Sequence, residues 1–237
     1  MRIMTCITLA IAAVLTAGEC QAEFVVAYDL AGQPGNQEST APGETAANVT
    51  GLHVTRGPGL GATNATNSIS SNGWNTLDAT QDYFSFGFTV DPGYFATLDQ
   101  LRIGTRSSNT GPGQLGLFFS GDGFTTNLFT FAQSGTSFLN SEVDLSSLSN
   151  VTGDAEFRII ALNDTRADGN TGITSGGTFR ITNLFGPDGD TGSFGITGTV
   201  TAVPEPSSMA LLGLVAVGGV VLRRRQRRPT NRPVLAN

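Results

Sequence analysis

Few residues in this 237-residue chain are equipped for covalent or metal chemistry. It has one histidine, His53, and two cysteines, Cys6 and Cys20. A Ser-His-Asp or Cys-His constellation needs a histidine between a nucleophile and an orienting carboxylate, and a structural zinc site needs four thiolate or imidazole ligands. With His53 as the single histidine, both are hard to build, and it reads as a surface residue beside a turn. Carboxylates are what remain. Asp164, Asp168, Asn170 and Thr171 share a glycine-containing loop, and Asp188-Gly189-Asp190 forms another. Oxygen ligands alternating around glycine suit calcium, but neither loop has the EF-hand spacing or its closing glutamate, and Asp-Gly is also an ordinary turn pair. Calcium at Asp164, Asp168, Asp188 and Asp190 and plain turns are the two readings, and no other cofactor is expected. Glu142 with Glu156 would make a glycosidase pair only if folding brought them within roughly 5–10 Å in a cleft. Their neighbours are strand and turn residues, where solvation alone accounts for them. The expectation is a protein that is not an enzyme.

Two aromatics raise the question of sugar binding, since a sugar face stacks on an indole or phenol ring. Trp74 follows Asn72-Gly73 and Tyr94 follows Pro92-Gly93, so both are candidate ligand contacts on loops. The competing reading places them at the edge of the core, and the presence of only one Trp favours it. Arg102 and Arg106 share one face of a strand by parity and are positioned to pair with acids across a sheet.

The elements that must position these groups are strands. Phe84, Phe86, Phe88 and Val90 alternate with Tyr83, Ser85, Gly87 and Thr89, a period of two without a miss. Further candidates are 24–30, 98–105, 114–120, 124–131, 137–145, 156–163, 178–185 and 193–201. Turn chemistry separates them at Asp91-Pro92-Gly93, Gly111-Pro112-Gly113, Gly121-Asp122-Gly123, Asp168-Gly169-Asn170 and Pro187-Asp188-Gly189. Short strands at this spacing predict an all-β fold, an antiparallel two-sheet sandwich of the jelly-roll kind. Residues 31–71, rich in Gly, Asn, Thr, Ala and Pro, read as an ordered loop, a pair of weak edge strands or a flexible arm.

Both ends depart from this pattern. Arg2 precedes an apolar stretch from Ile7 to Thr16, and Cys20-Gln21-Ala22 puts small residues at −3 and −1 of a cut after Ala22, which predicts a secretory signal peptide over 1–22. Its removal would take both cysteines with it, leaving no disulfide framework. The exported part, 23–203, then holds 17 acidic residues against 6 arginines and no lysine, a net charge of about −11. Such a field repels nucleic acid and anionic membrane surfaces, so a nucleic-acid partner is excluded.

At the other end, Pro204-Glu205-Pro206 is followed by an uncharged run from Met209 to Leu222 and then by Arg223, Arg224, Arg225, Arg227, Arg228 and Arg232. The run is shorter than the roughly 20 residues of a straight spanning helix. Extension through Ser207 and Ser208, with arginines snorkelling, predicts a single transmembrane helix over 207–222. The arginines form a cytoplasmic stop. This arrangement resembles the PEP-CTERM sorting signal of exported bacterial proteins. The strand FSFGFTV, the stretch LDQLRIGTRSSNTGPGQLGLFFSGDGF and the segments VDLSSLSNVTGDAEFRIIAL and GGTFRITNLF look, more loosely, like ectodomains common in such proteins. The resemblance implies recognition of Pro204, Glu205 and Pro206 by an exosortase, a membrane transpeptidase-like enzyme, with removal of the tail at or near the motif. It further implies a Gram-negative host that makes exopolysaccharide, transient residence in the inner membrane, and a final place on the cell surface or outside. The domain organisation expected is a signal peptide (1–22), one exported β-sandwich (23–203) and a sorting tail (204–237). A carbohydrate-binding module is the alternative for the exported domain, with a secreted glycoside hydrolase behind it.

Overall fold

The computed structural model describes residues 23–204 except 149 and 187–188. The expected signal peptide over 1–22, Glu205, Pro206, the helix expected over 207–222 and Arg223–Arg225 lie outside the described residues. So does Asp188. β1 (Glu23–Tyr28) leads into the short β2 (Pro34–Gly35), β3 (Ser39–Thr40) and β4 (Glu44–Thr45), then β5 (Val49–Arg56), β6 (Gly61–Ala62) and β7 (Ser68–Asn72). After a 3-10 turn at Trp74–Thr76 come β8 (Tyr83–Val90), β9 (Tyr94–Ser107), β10 (Gln114–Phe119), β11 (Phe129–Ala132) and β12 (Leu139–Asp144). The last are β13 (Gly153–Ala161), β14 (Phe179–Thr182), β15 (Leu184–Gly186), β16 (Gly189–Gly192) and β17 (Phe194–Ala202).

These strands make two large antiparallel-rich sheets, so the all-β expectation holds. One sheet has the order β11-β10-β13-β8-β5-β3. The other is built around the fourteen-residue β9 and is forked. Along one side of β9 runs β12, pairing Glu142 with Arg102 and Asn140 with Gly104. Along the other side lie β17 and β14, end to end: Gly195 pairs with Arg102 and Thr182 with Gly104. β14 and β17 are therefore one long strand, interrupted where the β15–β16 hairpin leaves the sheet. From this divided edge β17 continues to β1 and β4, and β14 to β7 with β2 and β6. A jelly roll would have eight strands in two Greek keys. Here the described strands form sheets of nine and six with β15 and β16 as a separate two-stranded sheet, and β9 is long enough to hold two partners in tandem.

The alternation read from the sequence sets the core. Phe84, Phe86 and Phe88 of β8 point inward with Phe157 and Ile159 of β13, and meet Leu101 and Ile103 of β9 and Phe194 and Ile196 of β17. Phe86 contacts the two layers at once, stacking on Phe157 at 5.9 Å and meeting Phe194 edge-on at 4.9 Å. Each such ring contributes about 1.5–3 kcal/mol when fully buried.

Residues 31–71 are neither loop nor arm. They contribute β5, an inner strand beside β8, and β7, an inner strand beside β14. The reason they looked weak is that many of their buried positions are small or polar, with only Val49, Val54, Leu60 and Ile69 as buried larger apolar residues. Ser68, Ser70 and Ser71 are all buried, and their hydroxyls reach Ala65 O (2.5 Å), Thr63 Oγ1 (2.8 Å) and Phe179 O (3.5 Å). Residues 124–128 are likewise not strand: Phe124 has φ +60° and closes a turn held by Asp122, whose two oxygens accept the Thr125 and Thr126 amides at 3.0 Å each.

Candidate functional site

The surface groups singled out for chemistry are dispersed. Trp74 is 0% exposed, its indole N–H donating to Ser71 Oγ at 3.0 Å, so it is a core residue and not a sugar platform. Tyr94, at the start of β9, is half-buried and packs against the core. Glu142 and Glu156 hang from different sheets, β12 and β13, each outward by parity between inward residues: Ser141 and Val143 for one, Ala155 and Phe157 for the other. Each carboxylate is matched by an arginine, Arg102 at 3.4 Å and Arg158 at 2.8 Å. The two glutamates therefore share no cleft. His53 is exposed, its Nδ1 3.1 Å from Ser39 Oγ.

Asp164 and Asp168 of the first glycine loop serve the backbone. Asp164 accepts amides from Gly172 (3.0 Å) and Ile173 (2.8 Å), and Asp168 accepts the Asn170 amide (3.0 Å) and pairs with Arg166 (2.5 Å). Asp190 lies in β16 opposite Phe185. Among the described residues no group of three or more His, Cys, Asp or Glu is placed to hold a metal.

Such capping depresses carboxyl pKa values. The Ala31 amide and then the Asn183 side chain hold Asp29 below its usual value, the Asn170 amide does the same for Asp168, and Thr80 and Ser146 act on Asp78 and Asp144. A carboxyl with a lowered folded pKa stabilises the fold above its unfolded value near 3.8 and loses that contribution as pH falls through the folded value. The thermal midpoint followed by circular dichroism is therefore expected to stay level from pH 7 to about 5 and drop below about 4. A midpoint that rises between pH 4 and 3 would contradict these contacts.

The place where the chain leaves the sandwich has a defined geometry. β17 pairs with the start of β9 as far as Ala202 opposite Tyr94. The Val203 amide then donates to Gly93 O at 2.8 Å, in the turn where the Tyr94 amide reaches back to Asp91 O at 3.2 Å. Val203 is 48% exposed and Pro204 is exposed. Pro204 and Pro206 carry no amide hydrogen, so neither can donate to extend this ladder. Residues 202–226 match the PEP-CTERM protein-sorting motif family. The chain carries a PEP-CTERM sorting motif. No curated protein and no solved structure matches it. The PEP-CTERM match begins at the last paired residue of β17, so ladder and motif abut with no intervening stalk. It reaches no further inward than Ala202, and the looser likeness of the strands to other ectodomains receives no support from it. The motif implies recognition by an exosortase, and with it an exported protein that is anchored and then processed. Among the described residues no helix is long and apolar enough to cross a membrane; the helix expected to do so lies beyond them.

One juxtaposition was not legible from the sequence. Arg180 of β14 falls directly opposite Arg106 of β9. Register between strands more than seventy positions apart has no local sequence signal, and the acid expected across the sheet from Arg106 is another arginine.

Proposed function

We propose that this is a non-catalytic protein of the cell surface or extracellular matrix, delivered by exosortase processing and associated there with exopolysaccharide. The observation that carries the reading is the abutment of the sorting motif on the final ladder of the sandwich. Cutting at or near Pro204 removes the tail without breaking a pair of β17, and the β domain leaves intact. The lack of a catalytic role is supported by the paired and separated carboxylates, Glu142 with Arg102 and Glu156 with Arg158. A mature chain of about −11 suits a hydrated polymer network, since like-charged copies remain soluble.

The intact mass of the protein recovered from its native host tests this. A chain beginning near Glu23 and ending near Val203 is the expected result. Replacing both motif prolines (Pro204→Ala with Pro206→Ala) is expected to lower the processed fraction at least tenfold and leave full-length chain with the membranes. A wild-type surface protein that still ends at Asn237 would overturn the processing step.

A further inference from the structure

The exported part has six arginines, and four have hydrogen-bond or carboxylate partners within the fold. Arg56 donates to Ser70 O (2.8 Å), Gln37 O (2.7 Å) and Gly35 O (2.6 Å), while Arg102, Arg158 and Arg166 have carboxylate partners. Arg106 and Arg180 are the exceptions. Among the described residues neither guanidinium makes a hydrogen bond or an ion pair, although each has five donors. They stand opposite one another in an antiparallel ladder, an arrangement that like charges disfavour. Folding pushes them closer to a common ring: the guanidinium carbons lie 4.8 and 5.2 Å from the centroid of Phe138. Phe138 is fixed in turn by Phe185 of the excursion hairpin, stacked at 4.3 Å with an interplanar angle of 3°. Asn140 locks that hairpin by donating to Phe185 O (2.5 Å) and accepting from the Phe185 amide (2.9 Å). Two repelling cations are thus held in place by rigid groups.

They open into a cavity of about 240 Å³. Its wall adds Asn64, Ser108, Thr136 and Thr178 to the arginines. The side chains of Asn64, Thr136 and Thr178 make no hydrogen bond among the described residues, and Ser108 Oγ accepts the Thr178 amide at 2.9 Å with its own hydrogen still to give. A fork of guanidinium donors matches a planar carboxylate. A rim of hydroxyls and an amide matches a hydroxylated skeleton. The surrounding charge of about −11 acts against a polyanion but tolerates one negative group neutralised on contact. The volume falls below the 300–1,000 Å³ or so of drug-sized ligand sites, so the ligand is small. We infer that the Arg106–Arg180 cavity binds the carboxylate of an acidic sugar, a free unit or a residue within a polymer. The site lies twelve residues along β9 from Tyr94, roughly 40 Å at strand rise, so it faces away from the end where the chain meets its sorting tail. The inference does not depend on the sorting reading, since it concerns the folded domain alone.

Calorimetric titration of the full chain in detergent micelles tests it, with sodium glucuronate as probe and glucose and inorganic phosphate as comparisons. Glucuronate is expected to bind saturably, with glucose and phosphate each at least tenfold weaker. Arg106→Gln and Arg180→Gln are each expected to weaken glucuronate by about tenfold or more. Arg102→Gln, on the same face but already paired with Glu142, is expected to leave binding unchanged. The two Gln variants lose no hydrogen bond and relieve a repulsion, so their melting temperatures should stay within a few degrees of the parent. If either fails to fold, Arg180→Lys decides, because it keeps the charge and loses the fork; unchanged affinity there would overturn the proposal. No binding of glucuronate by folded chain would also overturn it, and phosphate binding as tightly would reduce the site to a bare anion hole. A polymer-borne source is separated from a free one by repeating the titration with a neutral oligosaccharide that carries a single glucuronate residue: tighter binding assigns the residue within a polymer, equal binding the free unit.

Discussion

Gly87→Ala is expected to abolish accumulation of folded protein, the largest effect of any single methyl group in this chain. Gly87 sits in the middle of β8, between β13 and β5, with φ +152°, a backbone conformation that L side chains rarely adopt. A Cβ there would run into the carbonyl group of Ala155, 3.0 Å from its carbon, and 3.1 Å from the Glu156 Cα. These are backbone atoms of an inner strand and have nowhere to go. The same residue is bonded to a distant element: the Tyr28 hydroxyl accepts from the Gly87 amide at 3.1 Å and lies 3.0 Å from its carbonyl oxygen and 2.7 Å from Leu52 O. Tyr28 is fully buried on β1 of the opposite sheet, and burial raises its phenol pKa far above the usual value. This one hydroxyl satisfies the backbone where the ladder between β5 and β8 slips, between Leu52 and Thr55. A strained φ costs about 1–3 kcal/mol, and the clash comes on top, so a loss beyond about 4 kcal/mol is expected, a large share of the 5–15 kcal/mol of a typical domain. Tyr28→Phe should cost about 1–3 kcal/mol by orphaning the Gly87 amide. Gly93→Ala, at φ +87° with open space around it, should cost only about 1–2 kcal/mol. Soluble yield and thermal unfolding of the three variants give the order. A folded Gly87→Ala protein with the parent's midpoint would refute the account.

How much of this was legible follows from where the information resides. The period of two in Tyr83–Val90 placed β8 and its inward faces, because alternation needs only one strand. Punctuation by Asp91-Pro92-Gly93 and Gly121-Asp122-Gly123 placed turns, because those residue types act locally. The sorting motif was legible for the same reason: its order is linear. What failed was anything set by a partner strand. β7 was hidden because Ile69 is its single apolar residue among serines, whose fitness for a core depends on acceptors such as Phe179 O more than a hundred positions away. The forked sheet was hidden because nothing in Phe179–Thr182 and Phe194–Ala202 says that they are halves of one strand. The Arg106–Arg180 pair was hidden twice over, once by register and once by the expectation that an arginine on a sheet finds an acid. Trp74 was ambiguous between loop and core for a related reason: Asn72-Gly73 does mark a turn, yet the turn is folded inward.

That inward turn gives the second large effect. Trp74→Ala is expected to destabilise the protein by about 3–5 kcal/mol, the range for emptying a buried aromatic site. Trp74 follows Gly73, at φ +89°, and its ring lies 5.9 Å from Phe84 of β8 and 5.6 Å, edge-on, from Phe179 of β14. Phe84 and Phe179 themselves meet at 6.0 Å, so the three rings close one triangle across the two sheets. Removing the indole leaves both phenylalanines facing a void and takes away the indole donor to the Ser71 hydroxyl on β7, a strand with one large apolar residue, Ile69. At about 2–4 °C per kcal/mol for a domain of this size, the melting temperature should fall by roughly 10 °C. Trp74→Phe keeps most of the volume and should cost less than half as much. Circular dichroism is the suitable readout, because the chain has a single Trp and the variant has no indole to follow. In the parent that single indole becomes a private reporter of the triangle, and its emission should shift to longer wavelength in one step with the loss of strand signal. The competing view of Trp74, an exposed stacking platform for sugars, predicts the reverse pairing of results: an unchanged melting temperature and lost retention on a glycan column. A fall of 10 °C with retention intact would place the residue in the core by energetics as well as by position.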